Sequence, residues 1–327
     1  MTPRDLNRPF APTSKTSTIA LAVLTALTCV AACTGDDGGG DEAAESTSEG
    51  TSSAEDTAGS ADATEGSDGS EDGGAPNPDP APCEPGDSAP LFGAPSANTG
   101  LGSDQCQPSC ACAGGDWAPP SYEEAFIAQL DALTLTNTPA LLDGDPYDLD
   151  PQPSPDPDSV CGVVLGADSY AMATYADEAS AAADGAHVTH RGACGQCSSL
   201  ANLAVYMRMP DLTEPVRQCG LDGIVQGEEA NIQCLMDLGF DEPCAQIWYY
   251  NTVNTREACF DVCIEALESP NHLPDGSLNA CIQCDEDESG PVFKAVSGRT
   301  RRNSGLPSAL CRPCESVYRV IHDYGLL

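Results

Sequence analysis

The sequence predicts a mainly α-helical domain with a small β element, cross-linked by disulfides and placed after a disordered acidic tether. Apolar residues recur at helical spacing through most of the second half of the chain. Of 18 cysteines, all except Cys29 and Cys33 lie from Cys83 onward, which leaves sixteen for the folded part. Residues 34–82 contain no large apolar side chain, so this segment cannot bury enough surface to fold.

The N-terminus has the pattern of an export signal. Three basic residues precede an uncharged apolar run over 16–30, which is shorter than the roughly 20 residues that span a membrane. The run ends in Val30-Ala31-Ala32-Cys33. Here the chain resembles bacterial lipoprotein precursors, whose lipobox places small residues before an invariant cysteine. The resemblance implies removal of a signal peptide, residues 1–32, and acylation of Cys33 with palmitate-like chains.

The same resemblance implies a place in the bacterial cell envelope. In that family an Asp after the acylated cysteine often retains the protein in the inner membrane, and here Thr34 follows Cys33. We therefore expect an outer-membrane lipoprotein that faces the periplasm or the cell surface. The alternative is an ordinary secretory signal that is cleaved elsewhere, and Cys29 is a second acylation candidate.

Residues 33–82 are predicted to be a disordered spacer rich in Gly, Ser, Thr, Ala, Asp and Glu, with prolines at its end. A flexible chain of this length reaches about 40 Å, and its like charges extend it further. The alternative role is binding of calcium or of a basic partner. The folded domain is expected to cover residues 83–327.

Charge excludes two classes of partner. The chain carries 51 acidic and 13 basic residues, a net charge of -38, and no Lys or Arg lies between Lys15 and Arg191. Such a chain repels the phosphates of nucleic acid, and it does not dock electrostatically on anionic lipid. The predicted membrane contact is therefore the acylated Cys33 alone.

The first part of the folded region alternates loops and short elements. A cysteine-stapled loop over 83–120 precedes a helix that begins at the capping box Ser121–Glu124 and presents Phe126, Ile127 and Leu130 at helical spacing. A Pro- and Asp-rich loop follows. The elements predicted after it are strands over 160–165 and 170–175, a helical turn over 177–183 ended by Gly185, and a strand over 186–190.

Helices dominate the rest. Ser198 or Ser199 is a good N-cap for a helix that reaches Met207 and stops before Pro210. Five further helices are predicted: from Thr213, over 228–238, over 241–248, over 255–267 and over 313–324. The acidic run Asp285–Gly290 starts like a calcium loop, but Val296 stands where the closing glutamate belongs, which favours a solvated turn.

Export and an even cysteine number predict up to eight disulfides whose connectivity stays open. Three pairs have Cys-x-x-Cys spacing, for which zinc is the alternative: Cys194/Cys197, Cys281/Cys284 and Cys311/Cys314. Cys259 and Cys263 lie on one face of a helix, so we expect each to bridge to a neighbouring element rather than to the other.

The stretch around Cys194-Gly-Gln-Cys197 has two enzymatic interpretations. It resembles the active-site segment of papain-like peptidases, which would make Cys197 the nucleophile and His272 its base, although Arg191 and Ser198 replace that family's glutamine and tryptophan. It also resembles the strand–Cys-x-x-Cys–helix unit of thioredoxin-like proteins, with Cys194 as partner. His190 is a further weak catalytic candidate. The interpretation that we favour is structural disulfides.

A basic cluster is the candidate ligand site. Lys294, Arg299, Arg301 and Arg302, with Arg312 nearby, stand out against the acidic chain and are predicted to bind an anion such as a phosphate or an acidic sugar. The alternative is pairing with the protein's own acidic surface. The run Trp248-Tyr249-Tyr250 offers either a sugar platform or a core helix face.

These observations predict a membrane-anchored surface lipoprotein whose disulfide-stabilised domain binds or scaffolds a ligand of unknown identity. The alternative is a cysteine-dependent enzyme that uses Cys197 for thiol–disulfide exchange or hydrolysis. We predict no cofactor and no metal, and the expected partners are the membrane and an anionic ligand or carbohydrate. Composition leaves the oligomeric state open.

Overall fold

A computed structural model describes Cys83 and residues 91–112 and 115–326. The chain divides into two units, Met1–Asp68 and Gly69–Leu327, and all described residues belong to the second. The predicted signal peptide, the acylation site Cys33 and the acidic tether lie outside the described residues. Within the described ranges, no helix has both the length and the apolar character needed to cross a membrane.

Eight α-helices carry most of the regular structure of the described residues. In chain order they are α1 (Glu124–Ala132), α2 (Glu178–Ala183), α3 (Leu200–Arg208), α4 (Thr213–Gln226), α5 (Glu228–Asp237), α6 (Glu242–Glu265), α7 (Ala280–Glu288) and α8 (Gly290–Ser297). Together with two small sheets and eight disulfides, they confirm the predicted class, a mainly α, disulfide-rich domain.

The β element is a four-stranded sheet that supports the centre of the fold. Its strands are β3 (Thr134–Leu135), β4 (Val160–Leu165), β5 (Ser169–Tyr175) and β6 (His187–Arg191), in the spatial order β3-β5-β4-β6. Strand β4 is central and antiparallel to both β5 and β6, with Val163 opposite Met172 on one side. The predicted strands over 160–165, 170–175 and 186–190 are thus confirmed, because these short β-branched or aromatic runs are bounded by turn residues.

A second pair of strands ties the two ends of the domain together. Strands β1 (Leu91–Phe92) and β2 (Cys106–Gln107) run parallel, and Phe92 bridges to Arg312 near the C-terminus. Three disulfides reinforce this region: Cys83–Cys112, Cys106–Cys311 and Cys110–Cys314. The prediction of a stapled loop with little regular structure is confirmed.

The core lies where α1 and α3 pack against the sheet. Phe126, Ile127 and Leu130 of α1 are buried with Leu200 and Leu203 of α3. Helix α3 begins as predicted, since the Ser199 hydroxyl accepts a hydrogen bond from Asn202 N at 3.2 Å. The predicted capping box is wrong: α1 begins at Glu124, after an N-cap, Glu123, whose side chain makes no capping bond.

The helices differ from the prediction in three respects. Two predicted helices over 241–248 and 255–267 are one continuous helix of 24 residues, α6, since Asn251–Asn254 weaken a helix without breaking it. Residues 313–324 form only a 3-10 turn, Cys314–Ser316, followed by extended chain, because this β-branched segment bonds to neighbouring loops, as Tyr318 N does to Arg302 O. Helices α7 and α8 were not predicted, and α7 contains the acidic run that had suggested a solvated turn.

Candidate functional site

All sixteen cysteines of the described residues form disulfides, in the number predicted. None of the three Cys-x-x-Cys pairs closes on itself: Cys194 bonds to Cys161, and Cys197 bonds to Cys244. Cys259 and Cys263 bridge α6 to α7 by bonding to Cys284 and Cys281, the two cysteines of a second Cys-x-x-Cys pair, as their shared helical face predicted. The cysteines are therefore structural links in this state of the molecule.

The cysteine-enzyme hypothesis lacks a site in this structure. Cys197 Sγ is consumed in a disulfide, and its side chain has no exposed surface. His272, the proposed base, is buried elsewhere: its Nδ1 lies 2.9 Å from Gly276 O, and its Nε2 accepts from Cys311 N at 2.9 Å. Cys197 and His272 therefore do not form a thiolate–imidazole pair in this structure.

His190 forms a serine–histidine pair that the sequence did not predict. Its Nε2 lies 2.7 Å from the Ser198 hydroxyl, while its Nδ1 lies 2.8 Å from Arg191 O and so carries the proton. Both side chains are wholly buried, and burial together with the nearby Arg299 charge lowers the pKa of His190 well below its usual range. Since both side chains are closed to solvent, the pair is structural, and it fixes the chain just before the start of α3.

Arg299, predicted to bind an anion, is instead an internal clamp. It is the largest fully buried side chain of the described residues, and its guanidinium donates to Cys197 O, Ser198 O and both oxygens of Thr189. Burial lowers the pKa of Arg299 to about 10. The prediction was wrong for this residue because sequence alone does not show that the loop after α8 folds back into the core.

Arg301 is also committed to the protein. Its guanidinium donates to the main-chain oxygens of Tyr206, Pro307 and Met209, and it lies over the Tyr206 ring at 5.1 Å. These partners are uncharged, so the positive charge of Arg301 is not neutralised by them. Arg301 therefore adds positive charge to its surroundings, but its guanidinium is not free to bind a ligand directly.

The remaining members of the basic cluster line a cleft of about 400 Å³ between α4, α6 and α7, which we call the cleft. Its α4 wall repeats at helical spacing through Val216, Gly220 and Ile224. Helices α4 and α6 pack closely at Gly220, where an added Cβ would lie 2.7 Å from Thr252 Cγ2. Most of the lining is apolar, as is usual for sites that bind small ligands.

Exposed apolar side chains form the rim of the cleft. Ile224 on α4 is 45% exposed, Ile264 in the last turn of α6 is 48% exposed, and Leu267 just beyond the end of α6 is 50% exposed. Phe260 completes the α6 side of the rim at 36%. Large apolar residues gathered at the mouth of an apolar cleft are typical of a site that receives an apolar ligand.

Three cations converge on one carboxylate at the floor of the cleft. Lys294 Nζ and Arg302 Nη2 lie 3.0 and 2.7 Å from Glu286 Oε2, and Arg312 Nη2 lies 2.6 Å from Oε1. We call Lys294, Arg302 and Arg312 the cation floor. Burial alone would raise the pKa of Glu286, but the three cations outweigh it and hold that pKa below its usual value.

The charge of the cleft is opposite to that of the chain. Six basic residues line it against two acidic ones, in a chain of net charge -38. Arg217 shares its charge with Glu214 at 2.8 Å. The six basic residues are Arg217, Arg256, Lys294, Arg301, Arg302 and Arg312, and the two acidic residues are Asp285 and Glu286.

Asp285 is the second carboxyl of the cleft and has a different environment. It accepts hydrogen bonds from Thr255 and, at 3.2 Å, from Asn251 Nδ2, and Asn251 in turn accepts from Tyr147 at 3.0 Å. Burial raises the pKa of Asp285, and the neighbouring Glu286 charge adds to this. This polar network joins α6 to α7, and Asn251, Thr255 and Asp285 are part of the lining of the cleft.

The aromatic run after α5 does not form an exposed sugar platform. The Trp248 ring packs against Phe293 at 4.6 Å between centroids and against Phe240 at 6.1 Å, so it belongs to the interior wall of the cleft. The Tyr249 and Tyr250 rings are tilted relative to each other, with their centroids 5.3 Å apart. Of the two interpretations, the core helix face is the one that the structure supports for Trp248.

The sequence therefore indicated the cations of this site and not its carboxylates. Lys294, Arg302 and Arg312 were singled out by their charge, whereas Glu286 and Asp285 were hidden in a run of acidic residues. The α4 wall carried a signal, since Val216, Gly220 and Ile224 recur at helical spacing with small or apolar side chains. Nothing in the sequence paired α4 with the basic loop.

Residues 228–320 match the model of a family of unknown function, DUF8771. The matched part contains α5 to α8 and the cation floor, and it excludes the α4 wall. No curated protein and no solved structure matches the chain.

Proposed function

We propose that this protein is a lipoprotein of the bacterial cell envelope whose disulfide-stabilised domain binds an amphipathic anion in the cleft. Such a ligand has an apolar body, which fits the lining of α4 and α6, and an anionic group, which meets the cation floor. Binding rather than catalysis is the better proposal because Cys197, the candidate nucleophile, is held in a disulfide.

The observation that carries this proposal is the reversal of charge in the cleft. Acidic residues outnumber basic ones in this chain by 51 to 13, yet basic residues outnumber acidic ones in the lining of the cleft. Its cations are also partly desolvated: the side chains of Lys294, Arg302 and Arg312 are 31%, 29% and 13% exposed. Partly desolvated cations attract an anion more strongly than cations in open water.

Calorimetric titration with three probes tests the binding. The chain from residue 33 onward, with Cys33→Ser so that no detergent is needed, is titrated below the micelle concentration of each probe. Decyl phosphate should bind, whereas decyltrimethylammonium and inorganic phosphate should not, because one has the wrong charge and the other lacks the apolar body. The affinity for decyl phosphate should fall as salt is added.

Two variants locate the binding. Lys294→Met combined with Arg302→Met should weaken decyl phosphate binding by about tenfold or more, since each lost charge pair removes on the order of 1 kcal/mol. Arg208→Met, which removes a cation paired with Glu124 and Asp131 outside the cleft, is the matched control and should leave binding unchanged. Equal affinity for the anionic and cationic probes would remove the proposal.

The anchor rests on the lipobox and has its own test. Mass spectrometry of the mature protein should find Cys33 as the acylated N-terminal residue, and Cys33→Ala should abolish both the cleavage and the lipid. A mature N-terminus at another residue, without lipid, would contradict the envelope anchor and leave the binding site untouched.

A further inference from the structure

Asp285 is a carboxyl of the cleft that forms no ion pair within the described part of the chain. The three cations of the cation floor bond instead to Glu286, the next residue of α7. Asp285 nevertheless lines the cleft, beside the place where the proposed function puts the anionic group of the ligand. Two neighbouring carboxyls of one site thus have different electrostatic environments.

The side-chain hydrogen bonds of Asp285 to other described residues end at one of its two oxygens. Thr255 Oγ1 and Asn251 Nδ2 both donate to Oδ1. Both donors are uncharged, and Oδ1 remains an acceptor whether the carboxyl is ionised or neutral. A proton on Oδ2 therefore breaks neither bond, and it turns Oδ2 into a donor.

The charged and titratable groups that face Asp285 come from several elements. On α7 the ionised Glu286 disfavours a second negative charge, whereas the cation floor, from α8 and the C-terminal segment, favours one. The Tyr147 phenol is neutral because burial raises its pKa. From α6, Thr255 and Asn251 contribute hydrogen bonds without charge.

The balance of these effects disfavours the ionised form of Asp285. Burial raises its pKa most, and the Glu286 charge adds to this, while Thr255, Asn251 and Lys294 act in the opposite direction. The net result is a pKa above the ordinary aspartate value of about 3.9. A further negative charge beside Asp285 would raise this pKa again.

We propose that a ligand anion and a proton bind to the cleft together, the anion at the cation floor and the proton at Asp285. This inference rests on the proposed function and adds its regulation by pH. The anion favours neutral Asp285, and neutral Asp285 no longer repels the anion. Because the two effects are linked, the affinity for the anion rises as the pH falls.

The other charged residues that line the cleft keep their charge in mild acid. The basic ones are lysine and arginine, which stay protonated far above neutral pH. Burial alone would raise the pKa of Glu286, but the three cations outweigh it, so Glu286 stays ionised. A pH dependence of anion binding between neutral pH and about pH 5 is therefore assigned to Asp285.

Calorimetric titration with decyl sulfate tests the coupling, because this probe keeps its single negative charge throughout, whereas decyl phosphate itself takes up a proton near neutral pH. The protein is the chain from residue 33 onward with Cys33→Ser. Between about pH 7.5 and about pH 5 the affinity should rise at least about threefold. Titration at the lower pH in two buffers of different ionisation enthalpy should show uptake of up to one proton per decyl sulfate bound.

Asp285→Asn is the decisive variant, since it keeps the side-chain shape and an Oδ1 acceptor and is neutral at every pH. At the higher pH it should bind decyl sulfate at least as tightly as the wild-type protein does at the lower pH. Both the pH dependence and the proton uptake should disappear.

Asp287→Asn is the matched control. Asp287 lies on the same helix, is exposed and does not line the cleft, and the substitution keeps the acceptor for Gln283 Nε2. This control should bind decyl sulfate like the wild-type protein at each pH.

The outcomes separate this inference from the proposed function. Decyl sulfate that binds without pH dependence or proton uptake would overturn the coupling and leave the proposed function intact, and so would a coupling that persists in Asp285→Asn. Absence of binding at both pH values would remove the proposed function and this inference with it.

Thr255→Val takes the place of Asp285→Asn should circular dichroism show that the latter does not fold. It removes a donor to Oδ1 of Asp285 and so raises that pKa further. The affinity for decyl sulfate should then begin to rise at a higher pH than in the wild-type protein, and an unmoved pH profile would overturn the inference.

Discussion

Arg299 holds Thr189 by both of its oxygens: Nη1 lies 3.0 Å from the main-chain oxygen, and Nη2 lies 2.6 Å from Oγ1. The contact joins residues 110 positions apart and fastens the loop after α8 to strand β6. The same guanidinium also reaches Cys197 O and Ser198 O at the start of α3. One buried cation thus fixes the segment that places Arg302 and Arg312 on the floor of the cleft.

Arg299→Met should therefore unfold or loosen the domain rather than weaken a ligand directly. The substitution leaves several buried oxygens without a donor, and we expect a loss of about 3–5 kcal/mol in the free energy of unfolding. Arg299→Lys should not rescue it, because one ammonium cannot replace the planar fork of the guanidinium. Urea denaturation gives the values, with Arg208→Met as the exposed control, and a loss below about 1 kcal/mol would show that the clamp is dispensable.

Glu286 competes with the ligand for the cation floor, so Glu286→Gln should tighten the binding of decyl phosphate. The ligand's anion then meets three cations without a resident carboxylate. Glu288→Gln makes the same change of charge on the same helix outside the cleft and should have no effect. Calorimetry that finds weaker binding in Glu286→Gln than in Glu288→Gln would show that Glu286 positions the cations instead of blocking them.

The stability conferred by Glu286 depends on pH in a defined direction. Its pKa is lowered in the folded protein, so the stabilisation is complete above the unfolded pKa, about 4.3, and is lost as pH falls through the folded value. Glu286→Gln should lose stability at neutral pH and should show a shallower decline in acid. The free energy of unfolding of both proteins is measured between pH 6 and pH 3, a range that includes the unfolded glutamate pKa of about 4.3, and the two slopes against pH are compared.

Buried histidines should make the domain sensitive to mild acid. Burial and the charge of Arg299 lower the pKa of His322 to about 3, and His190 is lowered by the same causes. Unfolded histidine takes up a proton below about pH 6.5 while the folded residue does not, so stability falls with pH by about 1.4 kcal/mol per unit for each such histidine. His322→Gln should reduce that slope by one histidine's share between pH 6 and pH 5, and an unchanged slope in urea titrations would refute the assignment.

The disulfide between Cys197 and Cys244 links the starts of α3 and α6 across 47 residues. Replacing both cysteines with alanine should lower the free energy of unfolding by about 2–5 kcal/mol, because the unfolded chain regains freedom. The wild-type protein should show no free thiol in a thiol assay without reductant. A reactive thiol mapped to Cys197 would revive the cysteine-enzyme hypothesis.

Local signals in the sequence located the elements that frame the site. Ser199 and Asp241 cap their helices as their residue types predict, and Gly185 and Gly239 end theirs with positive φ. Strands β4 and β5 followed from β-branched and aromatic runs between turns. These features depend on interactions within a few residues, which is the range that sequence patterns describe.

Long-range partners explain what the sequence did not reveal. Asp285 and Glu286 belong to an acidic run typical of a solvated turn, and they are partly buried because Thr255 and Arg312 approach from α6 and from the C-terminal segment. Arginine is usually exposed at the surface, but Arg299 is buried because its guanidinium is bonded to Thr189. Each of these contacts spans 26 or more residues, so no local pattern specifies it.

Contact between the ligand's alkyl chain and Trp248 tests the central claim most directly. The chain has two tryptophans, and Trp248 lines the cleft, so Trp117→Phe leaves a single reporter there. A brominated decanoate should quench Trp248 fluorescence with saturation, and Lys294→Met with Arg302→Met should shift the midpoint to higher concentration. Quenching that is linear and no stronger than with bromoacetate, or that these two substitutions leave unchanged, would contradict binding of an amphipathic anion in the cleft.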